Sequence, residues 1–368
     1  MRSTPPSIFL IHKYGRKAAS FRYRLEQYLP AIKSAGYRYQ IASLLDDEYL
    51  KQRFTSGKRN YALSIRLYFR HLWALRRAFK SDLVVICVEA FPYCPSLFEL
   101  SLHLFRIPYI YDFDDPIFHY YDLNPNFLVR TLFGRKISNV IRRAQVAFCG
   151  SHYLVEYARK ARGKSETPDI QLLPTVIDLN DYPRPIKNHE SESECLVIGW
   201  IGSPSTAEYL EVVIPALRRL SQEFSLKLLL IGSGPKAWDG VQVEVHPWAE
   251  ETEKALLLKC DLGINPLLGD LWCQGKCGFK IIQYMACGLP VVVTPVGENK
   301  HIVQDGEQGI FATSEEDWVR AIRELQKNRS LRSRLGEKGR KSVEERYSLQ
   351  ITESQFLGAI HSIVKGEK

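Results

Sequence analysis

Gly275-Lys276-Cys277-Gly278-Phe279-Lys280-Ile281-Ile282-Gln283-Tyr284-Met285-Ala286-Cys287-Gly288-Leu289-Pro290-Val291-Val292-Val293-Thr294-Pro295-Val296-Gly297-Glu298-Asn299 is the stretch on which the reading of this chain turns. A loop carrying glycine and lysine leads into a short helix, placed near Gly278 to Cys287. Gly288 suits the residue just past the helix, because glycine alone takes positive φ at little cost. Pro290 opens Val291-Val292-Val293, an unbroken apolar run of the kind buried on both faces of a parallel sheet. Thr294-Pro295 and a glycine loop end it. The order loop, helix, strand, loop leaves two loops to flank one ligand.

The first loop favours an anion. A helix N-terminus presents backbone N–H groups and a partial positive charge. Gly278 allows close approach to that backbone, and Lys276 and Lys280 add two full charges. A diphosphate fits such a place. The alternative is an ordinary helix–strand connection with solvated lysines.

Met285-Ala286-Cys287-Gly288-Leu289-Pro290-Val291-Val292 resembles the donor-binding motif of retaining GT-B glycosyltransferases of family 4, the glycosyl transferases group 1. In that family two glutamates separated by seven residues bracket this loop and helix. Their places here fall on Gly275 and Gln283. Gln283 retains hydrogen-bonding capacity toward a ribose hydroxyl, whereas Gly275 offers no side chain.

The resemblance implies an α/β chain of GT-B architecture, with two Rossmann-like, doubly wound domains facing an inter-domain cleft. Residues 1–185 would form the acceptor-binding domain and 186–345 the nucleotide-sugar-binding domain, with 346–368 a helix crossing back to the first. The reaction it implies moves a sugar from a nucleotide-diphosphate donor to a hydroxyl of a saccharide or lipid-linked glycan, with retention. The leaving diphosphate itself helps deprotonate the acceptor. No cofactor beyond the donor and no metal are expected. Lys276, Lys280 and the amides of Gly278 and Phe279 would stabilise the leaving group. Gly202 and Ser203 would face donor phosphate or sugar, and Trp248 would either stack on the base or be a packing residue. Gly15 would face acceptor or phosphate, and Asp114-Asp115 stands where the family often has a His-Asp pair.

Composition bounds these expectations. At 368 residues, 45% hydrophobic and 25% charged, the chain has the make-up of a globular protein of two or three domains. It holds no 18-residue apolar run, and its polar start is too short for a signal peptide. Eight cysteines are scattered, and Cys273-x-x-x-Cys277 lacks a matching pair for zinc. A reducing cytoplasm follows, with attachment to the inner face of a membrane left open. Residues 1–190 carry 29 Lys and Arg against 17 Asp and Glu, a net of +12 within a total of +9. A basic first half points to an acidic partner such as an anionic membrane surface. No nucleic-acid-binding signature accompanies it.

Ser7 to Tyr14 reads as the opening strand, with a glycine turn at Gly15 and a helix from about Ser20 to Ala35. Arg22 and Arg24 are either cleft-facing or plain surface arginines. Arg59 to Lys80 reads as a long basic and aromatic helix, suited to a membrane surface or to packing on the sheet with snorkelling arginines. Asn126 to Arg143 carries the same ambiguity. Asp112-Phe113-Asp114-Asp115 closes a buried strand at its carboxyl end, where open α/β sheets place function. An acceptor-binding carboxylate, a helix-capping cluster and a metal-binding Asp-x-Asp are the three readings. Asp181 to Glu194 reads as a linker. Ser205-x-x-Glu208 reads as a capping box. A second reading of the whole chain keeps the fold and drops catalysis, leaving a sugar-nucleotide-binding subunit that partners an active transferase.

Overall fold

The computed structural model describes residues 5–56, 61–184 and 195–366. Residues 5–175 and 349–366 form one compact unit and the remaining described residues, 176–184 and 195–348, a second. The proposed linker beyond Arg184 and the start of the basic helix at Arg59 lie outside the described residues.

The first unit is built on a six-stranded parallel sheet. Its strands are β1 (Ser7–Tyr14), β2 (Arg38–Leu45), β3 (Leu83–Cys87), β4 (Tyr109–Phe113), β5 (Val146–Cys149) and β6 (Asp169–Leu172), in the order β2-β1-β3-β4-β5-β6. Every residue of β3 is buried, which is why Leu-Val-Val-Ile-Cys contains no polar side chain. The last helix, Leu349–Lys365, stacks Phe356 on Tyr28 with ring centroids 4.4 Å apart and belongs to this unit.

The second unit repeats the plan. Strands β7 (Leu196–Ile201), β8 (Leu226–Ile231), β9 (Val243–His246), β10 (Leu262–Asn265), β11 (Val291–Val293) and β12 (Gly309–Phe311) lie in the order β12-β11-β10-β7-β8-β9, all parallel. The helix Phe279–Ala286 is clamped to this sheet by Tyr284. A Cβ at Gly263 would stand 2.4 Å from the Tyr284 ring, so only glycine admits the ring against β10. The Tyr284 hydroxyl then accepts a hydrogen bond from the Ile201 amide at 3.0 Å. At the C-terminal end of this helix, Arg340 donates to the Ala286 carbonyl at 2.7 Å, where the helix dipole favours a cation.

Several expected elements are shorter than the sequence suggests, each for an identifiable reason. The helix expected over residues 20–35 is three pieces, Ala19–Arg24, Glu26–Tyr28 and Leu29–Ser34. Pro30 cannot donate to a preceding turn and starts the third piece instead. Strand β6 ends at Leu172, two residues before Pro174. Ser205 caps nothing. The turn there is a 3-10 helix, Ala207–Val212, with no side-chain cap. The hydroxyls instead bond locally, Ser203 with Ser205 at 2.9 Å and Thr206 to the Ser203 carbonyl at 3.0 Å.

Arg22 and Arg24 are both buried, and neither is a surface arginine. The Arg24 guanidinium takes both oxygens of Asp112 in a fork and also donates to the Leu173 carbonyl at 2.6 Å. It ties the carboxyl ends of β4 and β6 together. Asp112 is consumed by this pair, which removes it from an Asp-x-Asp metal site.

Candidate functional site

In the second unit the winding reverses between β7 and β10, and ligands of open α/β sheets bind outside the carboxyl ends of strands at such a point. The loop after β7 supplies Gly202, Ser203 and Thr206. The segment after β10 supplies Asp270, Lys276, Gly278 and Lys280.

Local chemistry shapes that second segment. Asp270 accepts from the Cys273 amide at 2.7 Å and starts a one-turn helix, Leu271–Gln274. The chain then reverses through Gly278, whose φ of 69° is left-handed, and enters the Phe279–Ala286 helix. Asn265 donates to Asn299 at 3.2 Å, and Asn299 donates to the Thr294 carbonyl at 2.8 Å, so the loops after β10 and β11 brace each other.

Lys280 reaches back from the helix to the loop after β7. Its ammonium lies 4.2 Å from the centroid of the Trp200 ring and donates to Thr206 Oγ1 at 3.3 Å. A Cβ on Gly202 would fall 2.7 Å from Nζ and 2.6 Å from the Trp200 ring. Gly202 therefore makes the room in which the ammonium sits. Lys276 stands 5.8 Å from the Trp272 ring centroid and 5.9 Å from that of Tyr209. Among the described residues neither lysine has a carboxylate within ion-pair distance. Burial first, and then the charge of Lys276, push the Lys280 ammonium down to a pKa of about 7. The site is thus short of negative charge.

Gln283 and Trp248 take part in a neighbouring cluster. The Gln283 amide is buried and points to Glu253 at 3.4 Å and to the Tyr182 hydroxyl at 3.5 Å. Trp248 donates to Glu253 at 2.6 Å, and Tyr182 donates to the same carboxylate at 3.2 Å. The expected Gln283 contact with ribose therefore has a competitor: its amide N–H groups already face Glu253 and Tyr182. Ser203 is exposed at the rim.

The first unit holds the other expected residues. Asp114 accepts from Thr175 at 3.3 Å. Burial, then the neighbouring Asp115, raise its pKa to about 7 against the opposing pull of Arg24. It is poised to exchange a proton near neutrality. Gly15 does not leave an open anion cradle. The space a Cβ would occupy lies 2.5 Å from an oxygen of Asp47, which also accepts from the Lys17 amide.

Trp200, Thr206, Tyr182 and Glu253 escaped the sequence reading. Trp200 sits inside an apolar strand, and Glu253 lies in an acidic first turn of the Glu250–Leu257 helix, where negative charge needs no functional explanation. All eight cysteines are free thiols.

Residues 195–328 match the family described as Glycosyl transferases group 1. Over 186 residues the chain is 27% identical to the N-acetyl-alpha-D-glucosaminyl L-malate synthase of Bacillus anthracis, and the alignment spans 48% of each chain, about half that relative's length. Anabaena HepE, solved in complex with UDP and glucose, superposes with a TM-score of 0.68 at 14% identity over 96% of this chain and 99% of that one. Sucrose-phosphate synthase from Thermosynechococcus elongatus gives 0.68 at 13%, over 98% and 100%. At these identities the solved structures establish the fold. The chain has the two-domain GT-B fold, and residues 195–328 of its second unit match the glycosyl transferases group 1.

Proposed function

We propose that this protein is a glycosyltransferase that moves a sugar from a nucleotide-diphosphate sugar to an acceptor hydroxyl, with retention and without a resident metal. The observation that carries the reading is the pair Lys276 and Lys280, two ammonium groups at a topological switch point with no carboxylate partner among the described residues. A diphosphate supplies the missing charge. As the glycosidic bond breaks, negative charge grows on the leaving phosphate, and fixed cations aimed there lower the barrier. Asp114 and Asp115 serve the acceptor. The whole reaction gains mainly from positioning and charge stabilisation.

Gly275 favours a second reading, that of a binding subunit without turnover, because it offers no side chain where the family has a glutamate. Slow release of UDP from UDP-sugars by the pure protein supports catalysis. Tight binding without release, across UDP-, GDP- and ADP-sugars and cell-extract acceptors, supports the subunit.

A second surface bears on where the protein works. The helix Tyr61–Leu75 turns Leu67, His71 and Leu75 inward and leaves Phe69 and Trp73 69% and 63% exposed, with Arg66 and Arg70 exposed beside them. Phe79 meets Phe105 edge-on at 5.6 Å, which joins this face to the Leu97–Leu104 helix, whose Leu97 and Leu104 are also exposed. Apolar side chains interleaved with arginine match an anionic lipid surface. No helix among the described residues is long and apolar enough to span a membrane.

Three outcomes are expected. UDP-glucose at 100 times its Kd stabilises the protein by about 2.7 kcal/mol, read as a rise in Tm. Lys280→Ala removes that rise, and so does Gly202→Ala, which puts a methyl group where the ammonium lies; an undiminished rise in both variants refutes the phosphate assignment. Bound diphosphate favours charged Lys280 and raises its pKa, so binding takes up protons above pH 7 and affinity falls as pH climbs from 7 toward 9. Calorimetry in buffers of different ionisation enthalpy measures that uptake, and a pH-independent affinity contradicts it. Finally, phosphatidylglycerol vesicles co-sediment the protein and phosphatidylcholine vesicles do not, and Phe69→Ser with Trp73→Ser weakens the association. Equal recovery from both vesicle types disproves the lipid surface.

A further inference from the structure

The sheet of the first unit also reverses its winding, between β1 and β3. Lys13 lies at the carboxyl end of β1, and Glu89 stands two residues beyond β3. Neither residue was singled out for function in the sequence.

Glu89 is 3% exposed, and its two oxygens are treated differently. Oε1 accepts from the Lys136 ammonium at 2.7 Å and from the Tyr121 hydroxyl. Oε2 is buried and has no hydrogen bond. Its near neighbour is the Lys13 ammonium at 3.7 Å, which is ion-pair range but beyond a hydrogen bond. A buried carboxylate oxygen left without a donor is costly. Lys136 is held in place by a second bond, to the Phe91 carbonyl at 2.5 Å.

The backbone around Glu89 is strained. Val88 has φ 70° and Tyr93 φ 54°. A β-branched residue in this region is an outlier that costs on the order of 1–3 kcal/mol and clusters at ligand sites. Four bonds enforce it. Val88 donates its amide to the Asp112 carbonyl at 2.8 Å and accepts from the Tyr111 hydroxyl at 2.9 Å. Tyr93 donates its amide to the Tyr121 hydroxyl at 3.1 Å, and the Pro92 carbonyl accepts from Tyr68 at 3.1 Å. The result is a rigid loop that presents Glu89.

Aromatic faces surround the pair. The Lys13 ammonium lies 5.4 Å from the Tyr14 ring centroid and 5.8 Å from that of Tyr120. Tyr93 and Tyr120 are each about half exposed. Lys13, Lys136 and Glu89 together carry one net positive charge, but the Glu89 oxygen 3.7 Å from the Lys13 ammonium sets a hydrogen-bond acceptor beside the donor, a combination that suits a hydroxyl better than an anion. Glu89 and Lys13 offer one acceptor and one donor beneath aromatic rings, which is the chemistry that holds a sugar ring: hydroxyls to the charges, C–H face to the aromatic.

We propose that Lys13 and Glu89 form a saccharide subsite, in which Glu89 Oε2 accepts from a ring hydroxyl, Lys13 donates to its neighbour, and Tyr120 or Tyr93 packs on the ring. Its role as the acceptor's binding site rests on the transferase reading above, whereas sugar binding there stands independently. Lys13 and Glu89 are positioning residues for that acceptor.

The test is a saturation-transfer NMR titration of the full chain with methyl glycosides of glucose, galactose, mannose and N-acetylglucosamine, with glycerol as the non-ring control. At least one glycoside binds the native protein and glycerol does not. Lys13→Met and Glu89→Gln each raise its Kd about tenfold or more, the loss of one hydrogen bond to a charged group. Donor-induced Tm shifts stay unchanged in both. Glu89→Gln leaves Lys136 buried without its counter-ion and risks unfolding; Lys13→Met keeps that pair whole and decides the matter alone. Absence of binding by every glycoside, or an unaltered Kd in Lys13→Met, overturns the subsite. Glycoside binding that survives while the donor shift is missing removes the transferase reading and leaves the subsite standing.

Discussion

Lys280 is confined beside Trp200 and has no carboxylate partner among the described residues, and several parts of the second unit hold it there. Gly202 makes the hole and Trp200 gives the ammonium a π face. The Phe279–Ala286 helix holds the stem of the side chain, and Tyr284 fixes that helix to the sheet. Lys276 adds a second charge of the same sign, and that repulsion is part of why the Lys280 ammonium sits at a pKa of about 7. Holding like charges together without a counter-ion costs stability, and a ligand of opposite charge recovers it.

The two units meet a similar electrostatic problem in partly different ways. In the first, buried cations are matched inside the fold: Arg24 with Asp112, Lys136 with Glu89. These pairs lock the carboxyl ends of the strands, while Asp114 accepts from Thr175 and one buried oxygen of Glu89 has no hydrogen bond. In the second, Arg340 is likewise paired with Glu344, whereas Lys276 and Lys280 have no carboxylate partner among the described residues. A chain that handles one anionic and one polyhydroxylated substrate is expected to divide its charges in this way. The sheet topology gives both units the same place for the task, since each reverses its winding beside the strand that opens it.

Much of this was legible in the sequence. The apolar runs of β3 and β11 announce parallel strands because both faces are covered. Gly278, Lys280 and the Met285–Val292 run announce the helix and strand that carry the site. What escaped has two causes. Partners distant in sequence are invisible to local pattern, so Arg24 reads as either a cleft-facing or a surface arginine until Asp112 is placed beside it 88 residues away. Competing local bonds also defeat signatures: the Ser203, Ser205 and Thr206 hydroxyls satisfy one another, and the capping box at Ser205 does not form. Gln283 illustrates both, since it kept its hydrogen-bonding capacity but its amide N–H groups face Glu253 and Tyr182.

Diffraction from crystals of the chain soaked with UDP-glucose tests the central claim most directly. The account places the two phosphates within hydrogen-bonding distance of Lys276 and Lys280, beside Gly202. Phosphates well ordered elsewhere on the protein, with both ammonium groups still unmatched, contradict it.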